Sequence, residues 1–135
     1  MPRHITAIPG SRIWIASALA ATVVLGVAMR FHLRAPELLR DATGGAAYVV
    51  AASLAMLLIH PRLTASAGAI LGLSITCIVE FSQLISLPWL DAIRATRLGR
   101  LALGTTFSWH DFGPYIVGAL LAWLVIRLLP RHTST

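Results

Sequence analysis

Four long apolar runs constrain this chain more than any other feature. They lie at Ile13–Met29, Ala42–Ile59, Leu63–Leu87 and Phe112–Leu129, and prolines or arginines close them: Arg30, the tripeptide His60-Pro61-Arg62, Pro88 and Pro130. Each run has about the 17–25 residues a helix needs to cross ~30 Å of hydrocarbon. None keeps the two-residue alternation of a barrel strand. A proline ends a helix because it removes a backbone donor and clashes with the preceding turn. The expected fold is therefore an all-α membrane protein, a bundle of four transmembrane helices spanning about 13–33, 42–59, 63–87 and 112–129 within one membrane domain of 1–135. The first run resembles a signal peptide, with Arg3 and Arg12 ahead of it and Ala18-Leu19-Ala20 as a cleavage-like triplet. That triplet precedes the most apolar stretch, Val23–Val27, so an uncleaved anchor is expected.

Charge is scarce and grouped. Only 12% of residues are charged against 57% hydrophobic, and all basic side chains are arginines. These arginines flank the apolar runs, where they act as interface anchors, so the formal charge of +6 does not imply a nucleic-acid partner. An even number of spans puts both termini on one side. That tail side carries Arg3, Arg12, Arg62, Arg127 and Arg131 and no acid. The other side holds Arg30, Arg34, Arg40, Arg94, Arg97 and Arg100 with all the acids: Glu37, Asp41, Glu80, Asp91 and Asp111. Arginine counts this even do not orient the chain; the acid-bearing side reads as the working face, and both termini are expected in the cytoplasm.

Glu80 is the acid set deepest in an apolar run. A charged residue at the centre of a span costs roughly 2.5–3.5 kcal/mol on insertion scales, so such a group is usually paired, protonated or functional. Thr64, Gly68, Gly72, Thr76 and Glu80 recur every four residues, with Gln83 on the same side, a stripe expected to face protein. Gly68 and Gly72 form a small-xxx-small pair that lets helices approach closely; Gly118 on the fourth span is given the same packing role. The connection from Pro88 to His110 mixes Trp89, Leu90, Ile93, Leu98 and Leu101 with Asp91, Arg94, Arg97 and Arg100. It reads as an amphipathic interfacial or re-entrant segment. Arginines at three-residue spacing would share one helix neighbourhood and suit phosphate or carboxylate, hold lipid headgroups unspecifically, or fold Arg94 or Arg97 back onto Glu80. Asp111 is an expected N-cap, with Pro114 in the first turn and Tyr115 one turn on, or a second carboxylate beside Glu80. Arg40-Asp41 reads as a cap with a local ion pair. Metal-ligand spacings are absent, the lone Cys77 can form no internal disulfide, and phosphate loops and Gly-x-Ser-x-Gly are missing. No metal or cofactor is expected.

Arg40-Asp41-x-x-Gly44, Glu80-x-x-Gln83, Pro88-Trp89-Leu90, Arg94-x-Thr96-Arg97-x-Gly99 and Gly104-x-x-Phe107-x-Trp109-x-Asp111-x-x-x-Tyr115-x-x-Gly118 together resemble DUF2809, a family of small bacterial integral membrane proteins of unknown function. The likeness covers roughly 30–120. Glu80-x-x-Gln83 followed by an aspartate at a span entry is more distantly similar to the VanZ-like proteins linked to glycopeptide-antibiotic tolerance. The resemblance implies a bacterial inner-membrane protein but no activity, substrate or cofactor. Family members carry Gly-Asp where this chain has Gly44-Gly45, so an aspartate belonging to a shared site would be missing here.

The expected function is non-enzymatic binding of a charged amphiphile, a lipid or envelope precursor, in a polar pocket at one membrane face. Its ligand-binding set is Glu80, Gln83, Arg94, Arg97, Arg100, Asp111, Tyr115, Arg40 and Asp41. One alternative is a membrane-embedded enzyme using the Glu80 and Asp111 carboxylates as general acid and base. The other is a structural subunit that forms a homo-oligomer through Gly68 and Gly72.

Overall fold

A computed structural model of the chain describes residues 9–32 and 34–130; Arg3 and Arg131 of the tail side, and residue 33 at the end of the first expected span, lie outside them. Among the described residues the protein is 82% helical and has no strand. Six helices follow in order: α1 (Pro9–His32), α2 (Glu37–Ile59), α3 (Ala65–Ser82), α4 (Pro88–Ala95), α5 (Arg97–Leu103) and α6 (Phe112–Leu128). Four of them, α1, α2, α3 and α6, are long and apolar enough to cross a membrane. They run alternately up and down, so α4 and α5 lie on the face where α1 and α3 end and where α2 and α6 begin.

Two boundaries differ from the apolar runs, each for a local reason. α2 begins at Glu37 rather than near Ala42, because the Pro36 carbonyl accepts from the Leu39 and Arg40 amides at 3.0 and 3.1 Å. α3 stops at Ser82 rather than Leu87. Its last amides tighten to three-residue bonds, Gln83 N to Glu80 O at 3.1 Å, Leu84 N to Phe81 O at 3.1 Å and Ile85 N to Ser82 O at 3.0 Å. At the other end, the Thr64 side chain accepts from the Ala67 amide at 3.1 Å and starts α3 right after the His60-Pro61-Arg62 turn.

α2 is the hub. α1, α3 and α6 all pack on it, and α3 and α6 pack on each other. The core holds Val49, Val50, Leu54 and Leu57 of α2, Ala69 of α3, Ala122 and Ile126 of α6, and Ile15 of α1. The stripe Gly68, Gly72, Thr76 and Glu80 is buried within the bundle. A Cβ on Gly72 would collide with the Ser53 hydroxyl and come within 2.7 Å of the Ser53 amide; one on Gly68 would stand 2.9 Å from Ile126. On Gly118 it would reach 2.6 Å from the Ala46 carbonyl. The small residues of α3 and α6 are thus spent on contacts within the chain. Outward faces are rich in bare apolar side chains, among them Val24, Ile70, Ile78, Leu120 and Leu128, as lipid-facing positions require. Trp14 and Trp109 are exposed at opposite ends, at interfacial height.

Because Gly72 meets fixed backbone, Gly72→Val should destabilise the folded protein by about 1–3 kcal/mol. Gly44→Ala, whose Cβ meets nothing within 4 Å, should instead keep or raise stability, by up to about 1 kcal/mol, because alanine is the better helix former. Thermal unfolding in detergent measures both.

Candidate functional site

Glu80 is 1% exposed and its two oxygens are held from three directions. The Tyr115 hydroxyl of α6 donates to Oε2 at 2.7 Å. The Ser108 amide, in the connection before α6, donates to Oε1 at 2.9 Å. Gln83, one turn along α3, donates to Oε2 at 3.2 Å and also to the Leu103 carbonyl at 3.1 Å. With both neighbours acceptors, the Gln83 amide nitrogen must face them, which leaves Oε1 enclosed without a donor. Asp111 lies within electrostatic reach of Glu80 and Asp41. Near them the Tyr48 hydroxyl donates to the Ala102 carbonyl at 2.6 Å, tying α2 to the end of α5.

These groups border a cavity of about 770 Å³ between α1, α2, α3 and the α5-to-α6 connection. Its mouth carries Arg30, Glu37, Asp41, Arg100 and Asp111, and its inner walls are Thr22, Val23, Gly26, Val27, Ala47 and Ala51 with Thr76 and Val79. From Arg30 to Thr22 is just over two turns of α1, or about 12 Å of depth. The volume falls within the 300–1,000 Å³ typical of small-molecule sites. Charge sits at the membrane face and apolar wall lies deeper.

The arginine row of the third connection divides. The helix breaks at Thr96, whose extended backbone and side chain cap α5 through the Gly99 amide at 2.9 Å. A Cβ on Gly99 would collide with the Ile93 carbonyl, so α5 starts tight against the end of α4. Arg94 points away from Glu80: its guanidinium donates to the carbonyls of Ser82 at 2.7 Å and Ile85 at 3.0 Å, with Asp91 at 3.4 Å. It closes the C-terminus of α3, where a cation also meets the negative end of the helix dipole. Arg97 is exposed and outside the cavity; Arg100 is the member that lines it. Neither Arg94 nor Arg97 neutralises Glu80, which corrects that expectation, and the physical reason is the Thr96 break with the claim of the α3 carbonyls on Arg94.

Two capping expectations are also corrected. Asp111 starts α6 with helical backbone angles after a 3₁₀ turn at Trp109–Asp111, and its carboxylate caps no amide. Arg40 and Asp41 stand inside α2 rather than at its entry, and among the described residues they form no ion pair with each other. Asp41 instead lines the cavity, while the Arg40 Nε is enclosed without an acceptor. The site also includes residues not singled out from the sequence. Ser108 acts through its backbone amide and leaves no side-chain signal. Tyr48 was readable, since it falls seven residues after Asp41 on one helical face. In the sequence Arg30 and Glu37 carry no signal beyond that of charges flanking apolar runs. Among the described residues no cluster of three metal-ligating side chains occurs.

Four spanning helices around a charged-mouthed cavity define a multi-pass membrane protein. The chain belongs to the DUF2809 family: that family's model, described as a protein of unknown function, matches residues 34–119. No solved structure matches the chain. The matched stretch holds Glu80 with all its hydrogen-bond partners, whereas the α1 wall of the cavity lies outside it.

Tyr115→Phe removes the shortest hydrogen bond to Glu80 and leaves the ring in place. It should cost about 1–3 kcal/mol of stability, read as a fall in thermal midpoint in detergent, and an unchanged midpoint would show that Glu80 does not depend on that hydroxyl.

Proposed function

We propose that this protein binds a charged amphiphile, a lipid or an envelope precursor, with its headgroup among the mouth charges and a chain against the α1–α2 wall. The observation that carries the reading is the division of one 770 Å³ cavity into a charged mouth and an apolar depth. Membrane lipid is then both solvent and ligand source, and homo-oligomer formation is unnecessary, because Gly68 and Gly72 are consumed inside the bundle. The distant similarity of Glu80-x-x-Gln83 and Asp111 to VanZ-like proteins supports an envelope role in the bacterial inner membrane.

The catalytic reading has one observation in its favour, the nearness of Asp111 to Glu80. General acid–base work needs a carboxyl free to exchange its proton with substrate. Both oxygens of Glu80 are occupied by donors, so only Asp111 remains for that task. Binding is the better supported function.

Gly44 lines the cavity and has open space where a side chain would go. Gly44→Leu should fill the mouth without unfolding the bundle and lower co-purifying lipid several-fold, measured by mass spectrometry of extracts from protein in native nanodiscs. An unchanged lipid profile at an unchanged thermal midpoint would refute the binding function.

The tails are proposed to lie in the cytoplasm, with the cavity opening toward the outer leaflet. Arginine counts do not orient the chain; the reading rests on the acid-bearing connections forming the working face, with the tail side serving as plain anchoring. A C-terminal green fluorescent protein fusion should be fluorescent and a C-terminal alkaline phosphatase fusion inactive; the reverse pattern would invert the orientation.

A further inference from the structure

The charges around the cavity are arranged as two poles, and this specifies the ligand more closely than its volume does. Four carboxylates line the cavity, those of Glu37, Asp41, Glu80 and Asp111. Glu80 is buried, and Asp111 lies within electrostatic reach of it, of Asp41, of His110 and of Tyr115. Among the described residues no arginine is hydrogen-bonded or ion-paired to any of the four. Like charges gathered at one mouth oppose each other's ionised form. A cationic donor placed here would relieve that opposition. Across the mouth, Arg30 and Arg100 line the same cavity, and among the described residues neither is hydrogen-bonded or ion-paired to a side chain. Guanidinium groups match phosphate oxygens.

Resting on the binding function above, we infer that the ligand is a zwitterionic phospholipid with a primary ammonium group. Its ammonium sits between Asp41 and Asp111, its phosphate faces Arg100 and Arg30, and an acyl chain follows Val23, Val27 and Ala51. A primary ammonium carries three N–H donors, which the carboxylate oxygens of Asp41 and Asp111 can accept. A quaternary ammonium has none and needs an aromatic cage. The two tyrosines at this site, Tyr48 and Tyr115, have their hydroxyls committed to the Ala102 carbonyl and Glu80, and the larger aromatic cluster of Phe81, Phe107, Trp109 and Phe112 does not line the cavity. A bare divalent cation is a poorer fit, because the acids are not grouped within metal-ligand distance.

The test is native mass spectrometry of the full chain in detergent, mixed with equimolar dioleoyl phosphatidylethanolamine, phosphatidylcholine and phosphatidylglycerol. Wild type should retain the ethanolamine lipid about tenfold over the other two. Asp41→Asn should erase that preference while leaving phosphatidylcholine retention unchanged, and Arg100→Gln should lower retention of all three. Asp41 is exposed and without a hydrogen-bond partner, so its variant keeps the fold where Asp111→Asn could lose it. Equal retention of ethanolamine and choline lipids, or preference for the glycerol lipid, with Arg100→Gln still lowering retention, would overturn the ammonium assignment and leave amphiphile binding standing. Retention of no lipid by wild type would overturn both.

Discussion

The burial of one carboxylate organises this molecule. A charged or polar group taken out of water must find its partners within the protein, and in a bilayer no water stands ready to correct a shortfall. Glu80 draws its donors from α6, from the connection that precedes it and from its own helix. Meeting Ser108 forces that connection to come back over the end of α3. Gly104 makes the turn possible: its φ of 66° lies in the left-handed region, and a Cβ there would stand 2.5 Å from the Gln83 amide nitrogen. Bringing Tyr115 to the other oxygen requires a bare backbone opposite its ring, and Gly45 supplies it, since a Cβ would lie 3.1 Å from that ring. The bare backbone at Gly45 thus gives α6 room to approach α2.

Helix spacing decides where the bundle is solid and where it is hollow. At Gly72 and Gly118 the backbones of α3 and α6 come so close to α2 that no side chain fits between. α1 meets α2 through Gly26 and Ala47, at a looser 3.2 Å, and stands apart from the α3–α6 pair. The wedge left between α1, α2 and α3 is the cavity. Its polar floor and apolar wall both follow from this geometry, because the wedge opens at the end of α3 where Glu80 sits.

The span-length runs made the four crossing helices legible, because lipid imposes a length that few other environments demand. The buried stripe of α3 was equally readable from its four-residue spacing. What escaped was decided by groups with no side-chain signature or by competition for a partner. The Ser108 amide belongs to the first kind. Arg94 belongs to the second: spacing set it beside Arg97 and Arg100, but the open carbonyls at the end of α3 claimed it. The approach of Glu37 and Asp41 to the site came from an extra turn at the start of α2, set by Pro36, which hydropathy alone does not register.

The seating of α1 carries a further consequence. Only about 6% of its spanning window is buried, against 28% for α2, so one lightly held helix separates the hollow from the surrounding acyl chains. A guest dissolved in the bilayer can arrive edgewise past this partition, without its tail ever crossing water. Occupancy would then follow the abundance of that guest within its own leaflet, and the composition of the membrane itself would set how full the protein is.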